Sequence, residues 1–423
     1  MNVAAEAPAA GPGRIRATYL LRTAGDADKV AAIVAGEQSS GTFLPVPGES
    51  EALKQRSAAR VERLAPVEDG GLPPLPGASP GALASYEMEL SWPFANLGAS
   101  LPNLLAALAG NLYELRDVAG LKLLDFAVPA EFYAAYPGPA FGVAGTRRLA
   151  GVAEGPLIGT IVKPSVGLDP AETAAVVDQL CEGGIDFVKD DELQADGPGC
   201  PFDERVKRVL DVVRRHEART GRTVMVAFNL TGEIDEMLRR HDLVAELGGS
   251  CVMVSLNGVG PAGVTALRRH ARLPIHAHRN GWGYLGRSVD NGFSYVAWQK
   301  IWRLAGVDHM HVNGIANKFW EPDDSVVASA RACLTPMTKS HRNVVMPVFS
   351  SGQTVMQAEP TLARLDSSDF IFCAGGGIVA HPRGIAAGVR SLRQAFDAAS
   401  AGIPLGEAAK RSPELAEAVE KFS

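Results

Sequence analysis

Residues 183–194 read GGIDFVKDDELQ. After a glycine pair, the apolar residues of IDFV have the look of a buried strand, yet they run straight into Lys189, Asp190, Asp191 and Glu192. Taken alone, a charge run of this kind is a solvated loop. At the end of a buried strand it can instead deliver chemistry. Working outward in both directions, short apolar stretches recur: LIGTIV (157–162), IDFVK (185–189), TVMVAF (223–228), SCVMVS (250–255), LPIHA (273–277), VDHMHV (307–312), VVMPVF (344–349) and FIFCA (370–374). Between them, segments such as PAETAAVVDQLCEGG, FDERVKRVLDVVRRHEART and EIDEMLRRHDLVAELGG carry apolar residues at helical period with charged outer faces. Eight strands, each followed by a helix, predict a closed (β/α)8 TIM barrel, with its active site at the C-terminal strand ends. The rival is a doubly wound open sheet, which eight regular repeats disfavour.

Upstream the rhythm differs. RIRATYLL, DADKVAAIVAGE, ARVERLAP, SYEMELSW, LPNLLAALAG and LKLLDFAV read in order as β-α-β-β-α-β, a ferredoxin-like α+β arrangement with helices on one face of a sheet. We therefore expect a leader over 1–13 without fixed structure, an α+β domain over 14–140 and a barrel over 141–423. The Gly, Ser and Pro-rich EQSSGTFLPVPGES (37–50) is expected to be a functional loop.

The bulk numbers narrow the function classes. A chain of 423 residues with 46% apolar and 21% charged residues is an ordinary globular protein of two domains. Its net charge of -6 offers no basic footprint for nucleic acid. Five cysteines without CxxC spacing suggest neither a disulfide framework nor a zinc site. No signal-like start and no long uncharged apolar run is present, so a cytoplasmic protein without a membrane span is expected.

The barrel makes a demand that the sequence meets. Polar residues fall where each strand stops: Lys163 after the first, KDDE after the second, Asn229 after the third, and His276, His278 and Arg279 after the fifth. His309 and His311 mark the sixth strand, Ser350, Ser351 and Gly352 follow the seventh, and Gly375, Gly376 and Gly377 the eighth. Any one of these has a bland reading as core histidine, turn or solvated loop; their joint placement does not. Asp191 and Glu192 are hard oxygen ligands suited to Mg2+. The SSG and GGG runs offer backbone N–H groups for a phosphate, and Arg279 adds donors for a second anion. Strand alternation puts Lys189 and Asp191 on one face and Asp190 on the other.

The motifs GTIVKPSVGL, GGIDFVKDDE, HAHR, DHMHVNGIANK and AGGGIVAHPRG resemble, in order and spacing, the Rubisco large-chain superfamily over nearly the whole chain. The resemblance implies an N-terminal α+β domain, a barrel, and a head-to-tail homodimer, or a larger assembly built on it, with shared active sites. It also implies Mg2+ held by Lys189, carbamylated by CO2, together with Asp191 and Glu192. Lys163 matches a lysine that manages the proton at the substrate carbon, His278 a catalytic histidine, and Lys318 the lysine of a mobile loop. Arg279, His311 and Ser350 match one phosphate site, and Thr42, Gly352, Gly375 and Gly376 the other. Glu37 and Asn111 match residues that reach the neighbouring subunit. Departures point away from CO2 fixation on ribulose bisphosphate: Ser165 where carboxylases have a second lysine, Phe43 for a tryptophan, and bulky Phe319 and Trp320 after Lys318. The pattern resembles Rubisco-like proteins that form or protonate an enediolate on a phosphorylated keto compound. Favoured is decarboxylation or transcarboxylation of the 3-oxo-isoapionate 4-phosphate type. The alternatives are an enolase or isomerase acting on methylthio-sugar phosphates and a non-catalytic binding protein, against which the intact metal triad speaks.

Overall fold

A computed structural model describes residues 13–40 and 46–423. The chain divides into two compact units, one of residues 1–137 with 281–304, the other of 138–280 with 305–423.

The first unit is built on four antiparallel strands, β1 (Arg14–Thr23), β2 (Arg60–Val67), β3 (Ala84–Pro93) and β4 (Gly120–Ala127), in the order β4-β1-β3-β2. Period-two burial along β1 sends Ile15, Ala17, Tyr19 and Leu21 into the core. Tyr19 donates its hydroxyl to the Leu108 carbonyl at 2.8 Å, tying β1 to the helix Leu101–Ala109. The first helix, Ala27–Glu37, starts where the Asp26 carboxylate accepts from the Lys29 N–H, and it buries Val30, Ala31, Val34 and Ala35. A further helix, Glu51–Ser57, was not expected; it buries no residue, so no apolar period announces it. The segment 281–304 also belongs to this unit. Gly292–Phe293 pairs in parallel with β4, and the buried Arg22 of β1 is gripped by Asp69 at 2.9 Å and Asp290 at 2.6 Å.

The second unit is a closed barrel of eight parallel strands: Leu157–Ile161, Phe187–Lys189, Met225–Asn229, Cys251–Ser255, Ile275–His278, His309–Asn313, Met346–Phe349 and Ile371–Cys373. Each neighbours the next, and the eighth closes on the first through Ile371 opposite Leu157. All eight coincide with the apolar stretches read from the sequence. The helix Pro170–Glu182 begins with an Asp169–Glu172 capping box and a proline in its first turn. Phe202–Thr220 buries Phe202, Val206, Val209 and Leu210 on one face and ends at Gly221, whose φ of 71° suits glycine. Leu157, Phe187, Met225, Met253, Val348 and Ile371 fill the barrel core. No helix among the described residues is long and apolar enough to cross a membrane.

Asp308 pins one flank of the barrel. Wholly buried, it accepts from the backbone N–H groups of Phe141 (2.6 Å), Gly142 (2.9 Å) and Ile275 (2.9 Å), and it pairs with Arg268 at 3.2 Å. Asp308→Ala strands three buried donors and a buried guanidinium, and should cost about 3–5 kcal/mol. Urea unfolding checks this; a loss below about 1 kcal/mol would show that these bonds do not hold the barrel.

Candidate active site

The opening stretch folds as its alternation predicts. Lys189 and Asp191 share a face, and Asp190 turns the other way. There Asp190 accepts from Arg205 at 3.2 Å and from the Asn229 N–H at 2.9 Å. Arg205 is itself wholly buried and also donates to the carbonyls of Ala195 (2.7 Å) and Cys200 (2.9 Å), so it fixes the turn that follows the second strand. Asn229 adds its side-chain amide, donating to the carbonyls of Asp191 (3.1 Å) and Glu192 (3.3 Å). The strand has ended by Glu192, which swings that carboxylate round to face Lys189.

Lys189 is fully buried, its Nζ donating to the Asp190 carbonyl at 2.8 Å and standing 3.4 Å from Glu192 Oε2. Burial pushes its amine down from the ordinary lysine value, against the pull of Glu192 and Asp191. Asp191 is paired instead with Lys163, whose Nζ lies 2.7 Å from Asp191 Oδ2 and donates to Ser165 Oγ at 2.7 Å. His278 Nε2 is 3.4 Å from the same Glu192 oxygen that faces Lys189. Burial pushes His278 down to about 4, so it is neutral at pH 7. Glu192 is itself desolvated, yet the neighbouring His278 and Lys189 hold its carboxyl below the usual carboxylate range.

From His278 a run of imidazoles crosses the lumen. Its ring lies 4.6 Å from that of His311, whose Nδ1 meets Ser350 Oγ at 2.9 Å and whose Nε2 meets His276 Nε2 at 2.8 Å. His276 in turn lies 3.3 Å from His309, which meets Thr146 at 2.8 Å. At the seventh strand end Ser351 and Gly352 both have left-handed backbone, with φ of 74° and 84°. The Ser351 carbonyl accepts from the Lys318 N–H at 3.2 Å. Gly375 brings the eighth strand end beside Lys163: a Cβ there would lie 3.7 Å from Lys163 Cε, while one on Gly376 would meet nothing within 4 Å. Its backbone is open to a ligand.

The structure thus brings together Lys163, Lys189, Asp191, Glu192, His278, His311, Ser350, Ser351, Gly352, Lys318, Gly375 and Gly376 in one set of strand-end contacts. Arg279 sits at the fifth strand end, paired with Glu321 at 3.0 Å. Glu37 closes the first helix and Asn111 opens the short turn Asn111–Glu114; both lie in the first unit. Thr42, Phe43 and most of the leader fall outside the described residues. Sequence reading missed Arg205, because nothing in a helix-period segment marks one of its many arginines as buried. Glu321 was missed as well; its place before Pro322 and after two exposed aromatics was the one available signal.

A carboxylate pair, a buried amine and a neutral imidazole at the mouth of a barrel can hold a divalent cation and steer a proton. Known proteins resemble this chain along nearly its whole length. The family model of the ribulose bisphosphate carboxylase large chain matches twice, with its N-terminal domain over residues 17–132 and its catalytic domain over 142–422. A 3-oxo-isoapionate-4-phosphate transcarboxylase/hydrolase of Xanthobacter autotrophicus is 55% identical, over 96% of this chain and 98% of that protein. A 3-oxo-isoapionate-4-phosphate decarboxylase of Rhizobium etli is 43% identical, over 97% and 99%. The crystal structure of a rubisco-like protein from Burkholderia fungorum superposes with a TM-score of 0.91 at 46% identity, covering 97% of this chain and 100% of that one.

Burial lowers the affinity of His276, His278, His309 and His311 for a proton below the ordinary histidine value of 6.5. His309 is pushed down to about 3. The unfolded chain therefore binds more protons than the folded one below pH about 6.5, so stability falls as the pH drops through that value. Each histidine that stays neutral should cost about 1.4 kcal/mol per pH unit. Thermal melts between pH 7.5 and 5, above the range where carboxylates titrate, should show a continuous decline in Tm; a flat profile would mean that these rings are protonated in the folded state.

Proposed function

The chain belongs to the ribulose bisphosphate carboxylase large-chain family, and from that premise we propose that it is a Mg2+-dependent enzyme that cleaves the carboxylate from a phosphorylated 3-oxo acid of the 3-oxo-isoapionate 4-phosphate type. The observation that carries this reading is Lys163 set 2.7 Å from Asp191 and beside Gly375. In this reading Lys163 stands between the carboxylate cluster and the open backbone of Gly376, which suits a phosphate. High identity to proteins named for that compound supports the substrate class.

The residues fit the metal. Asp191 and Glu192 are hard oxygen donors, and Lys189 is fully buried with its amine shifted toward the neutral form, the form that adds CO2 and releases a proton to become a carbamate. That reaction replaces a cation by an anion beside Glu192. Lys189, Asp191 and Glu192 would then hold Mg2+. When bound, the ion acts as a Lewis acid on the 3-oxo group.

In this reading Ser351, Gly352, Gly375 and Gly376 orient the phosphate. As the bond to the carboxylate breaks, its electron pair passes into the neighbouring carbonyl and leaves an enediolate. The Lys163 ammonium, steadied by Asp191 and Ser165, delivers the proton that quenches the carbon. A neutral His278 accepts or donates at the substrate oxygens without adding positive charge. Lys318 closes over the seventh strand end. Where a water or a second acceptor takes the departing group, the same site serves hydrolysis or transcarboxylation.

With Mg2+ and bicarbonate, the protein should release CO2 from 3-oxo-isoapionate 4-phosphate, and Lys163→Met should lower kcat by about 10²–10⁴-fold while Mg2+ binding persists. Lys189→Met should abolish Mg2+ binding and the carbamate resonance seen with 13C-bicarbonate. Solvent deuterium entering 5-methylthioribulose 1-phosphate, with no CO2 from the 3-oxo acid, would replace this reading with the isomerase and enolase one. We further propose a homodimer in which Glu37 and Asn111 of one protomer complete the partner's site. Mixing inactive Glu37→Ala and Lys189→Met proteins after dissociation should then restore about a quarter of the wild-type activity, since random pairing makes half the dimers mixed and each mixed dimer has one intact site; no recovery in a mixed dimer argues for self-contained sites.

A further inference from the structure

The Arg279 end of the site contains a carboxylate of its own. Glu321 is 4% exposed, and its Oε2 accepts from Arg279 at 3.0 Å and from Asn313 Nδ2 at 3.2 Å, while its Oε1 accepts from Ser325 Oγ at 3.0 Å. The residues that aim it are themselves fixed. Asn313 is wholly buried and left-handed, with φ of 80° at the end of the sixth strand, a conformation that asparagine tolerates better than most residues. Asn317 bridges the Gly314 and Glu321 carbonyls at 3.0 and 2.9 Å, and the Ala316 N–H donates to Asp323 at 2.8 Å. Glu321 is therefore built into the turn rather than resting on it.

This arrangement has an electrostatic consequence. A phosphate dianion needs an excess of positive charge or several free donors at the place where it is buried. At this end the guanidinium is already matched by a carboxylate. The neighbouring His311 is engaged on both nitrogens by Ser350 and His276. Burial also keeps that ring neutral. A second phosphate arriving here would meet Glu321 at close range, and like charges at such distances repel strongly in a poorly solvated site. A hydroxyl end meets no such penalty. The opposite end differs: Gly376 is open and Lys318 stands beside Gly352, while Lys163 beside Gly375 is matched by Asp191.

We infer that Glu321 is a specificity-determining residue, an internal counter-charge that turns the Arg279 end into a site for a neutral or weakly charged group and makes the enzyme selective for monophosphates over bisphosphates. It deepens the function proposed above and rests on the strand-end cluster being a sugar-phosphate site. Repulsion of the wrong ligand, rather than added affinity for the right one, sets the preference.

Direct binding tests this without turnover. Isothermal titration of the full-length protein in Mg2+ and bicarbonate would compare ribitol 5-phosphate with ribitol 1,5-bisphosphate, neither of which has a carbonyl to react. The wild-type protein should bind the bisphosphate no more than about threefold tighter than the monophosphate, and Glu321→Gln should raise that preference at least tenfold, which corresponds to about 1.4 kcal/mol. A wild-type preference for the bisphosphate of tenfold or more overturns the inference, as does an unchanged ratio in a Glu321→Gln protein with a normal melting curve. Should that variant fail to fold, the wild-type ratio alone decides. Absence of binding by either ligand would overturn the sugar-phosphate reading, and this inference with it, whereas tight monophosphate binding without CO2 release would remove only the proposed reaction.

Discussion

An ammonium taken wholly out of water costs several kcal/mol unless it is paired or gives up its proton. Lys189 is in that position, and much of the second unit is arranged around it. One carboxylate, Glu192, is turned back toward it after the strand has ended. Another, Asp191, is kept aside by Lys163. Asp190 is directed away and anchored to Arg205, so that three consecutive acids do three different things. The buried histidines beyond Lys189 stay neutral and add no competing charge. The arrangement favours an amine that can exchange a cationic form for an anionic one.

The extent to which this was readable from the sequence follows from the range of each interaction. Barrel strands are apolar runs bounded by polar ends, a local signal, and all eight were legible. The alternation that separates Asp190 from Asp191 is local as well. So is the β-α-β-β-α-β order of the first unit, whose observed sheet order follows from it. What was illegible depends on partners distant in sequence. The burial of Arg205 is decided by Asp190 and three carbonyls around it, and the role of Glu321 by Arg279, 42 positions earlier. The helix Glu51–Ser57 buries nothing and so leaves no periodic trace. The assignment of 281–304 to the first unit rests on Arg22 meeting Asp290, a contact across 268 positions.

Family likeness and residue chemistry contribute different things. Likeness places the strand-end lysines, histidines and glycines on one map. It says less about how their charges balance, because a single side chain outside the familiar motifs can cancel one of them. Here that side chain sits three positions after Lys318, where the sequence turns from basic to acidic.

The interleaving of the two units bears on how the chain is made. The first unit's sheet is extended by Gly292–Phe293, and the grip on Arg22 needs Asp290. A ribosome releasing this chain from its N-terminus has delivered five of the eight barrel strands before those residues emerge. The first unit therefore cannot reach its final form as an early, independent folding module, and until then it carries a nearly buried guanidinium with only part of its counter-charge. Cutting the chain near residue 140 would leave the same vacancy permanently, along with an unpaired β4 edge, so domain shuffling at the apparent boundary is not a neutral operation for this architecture.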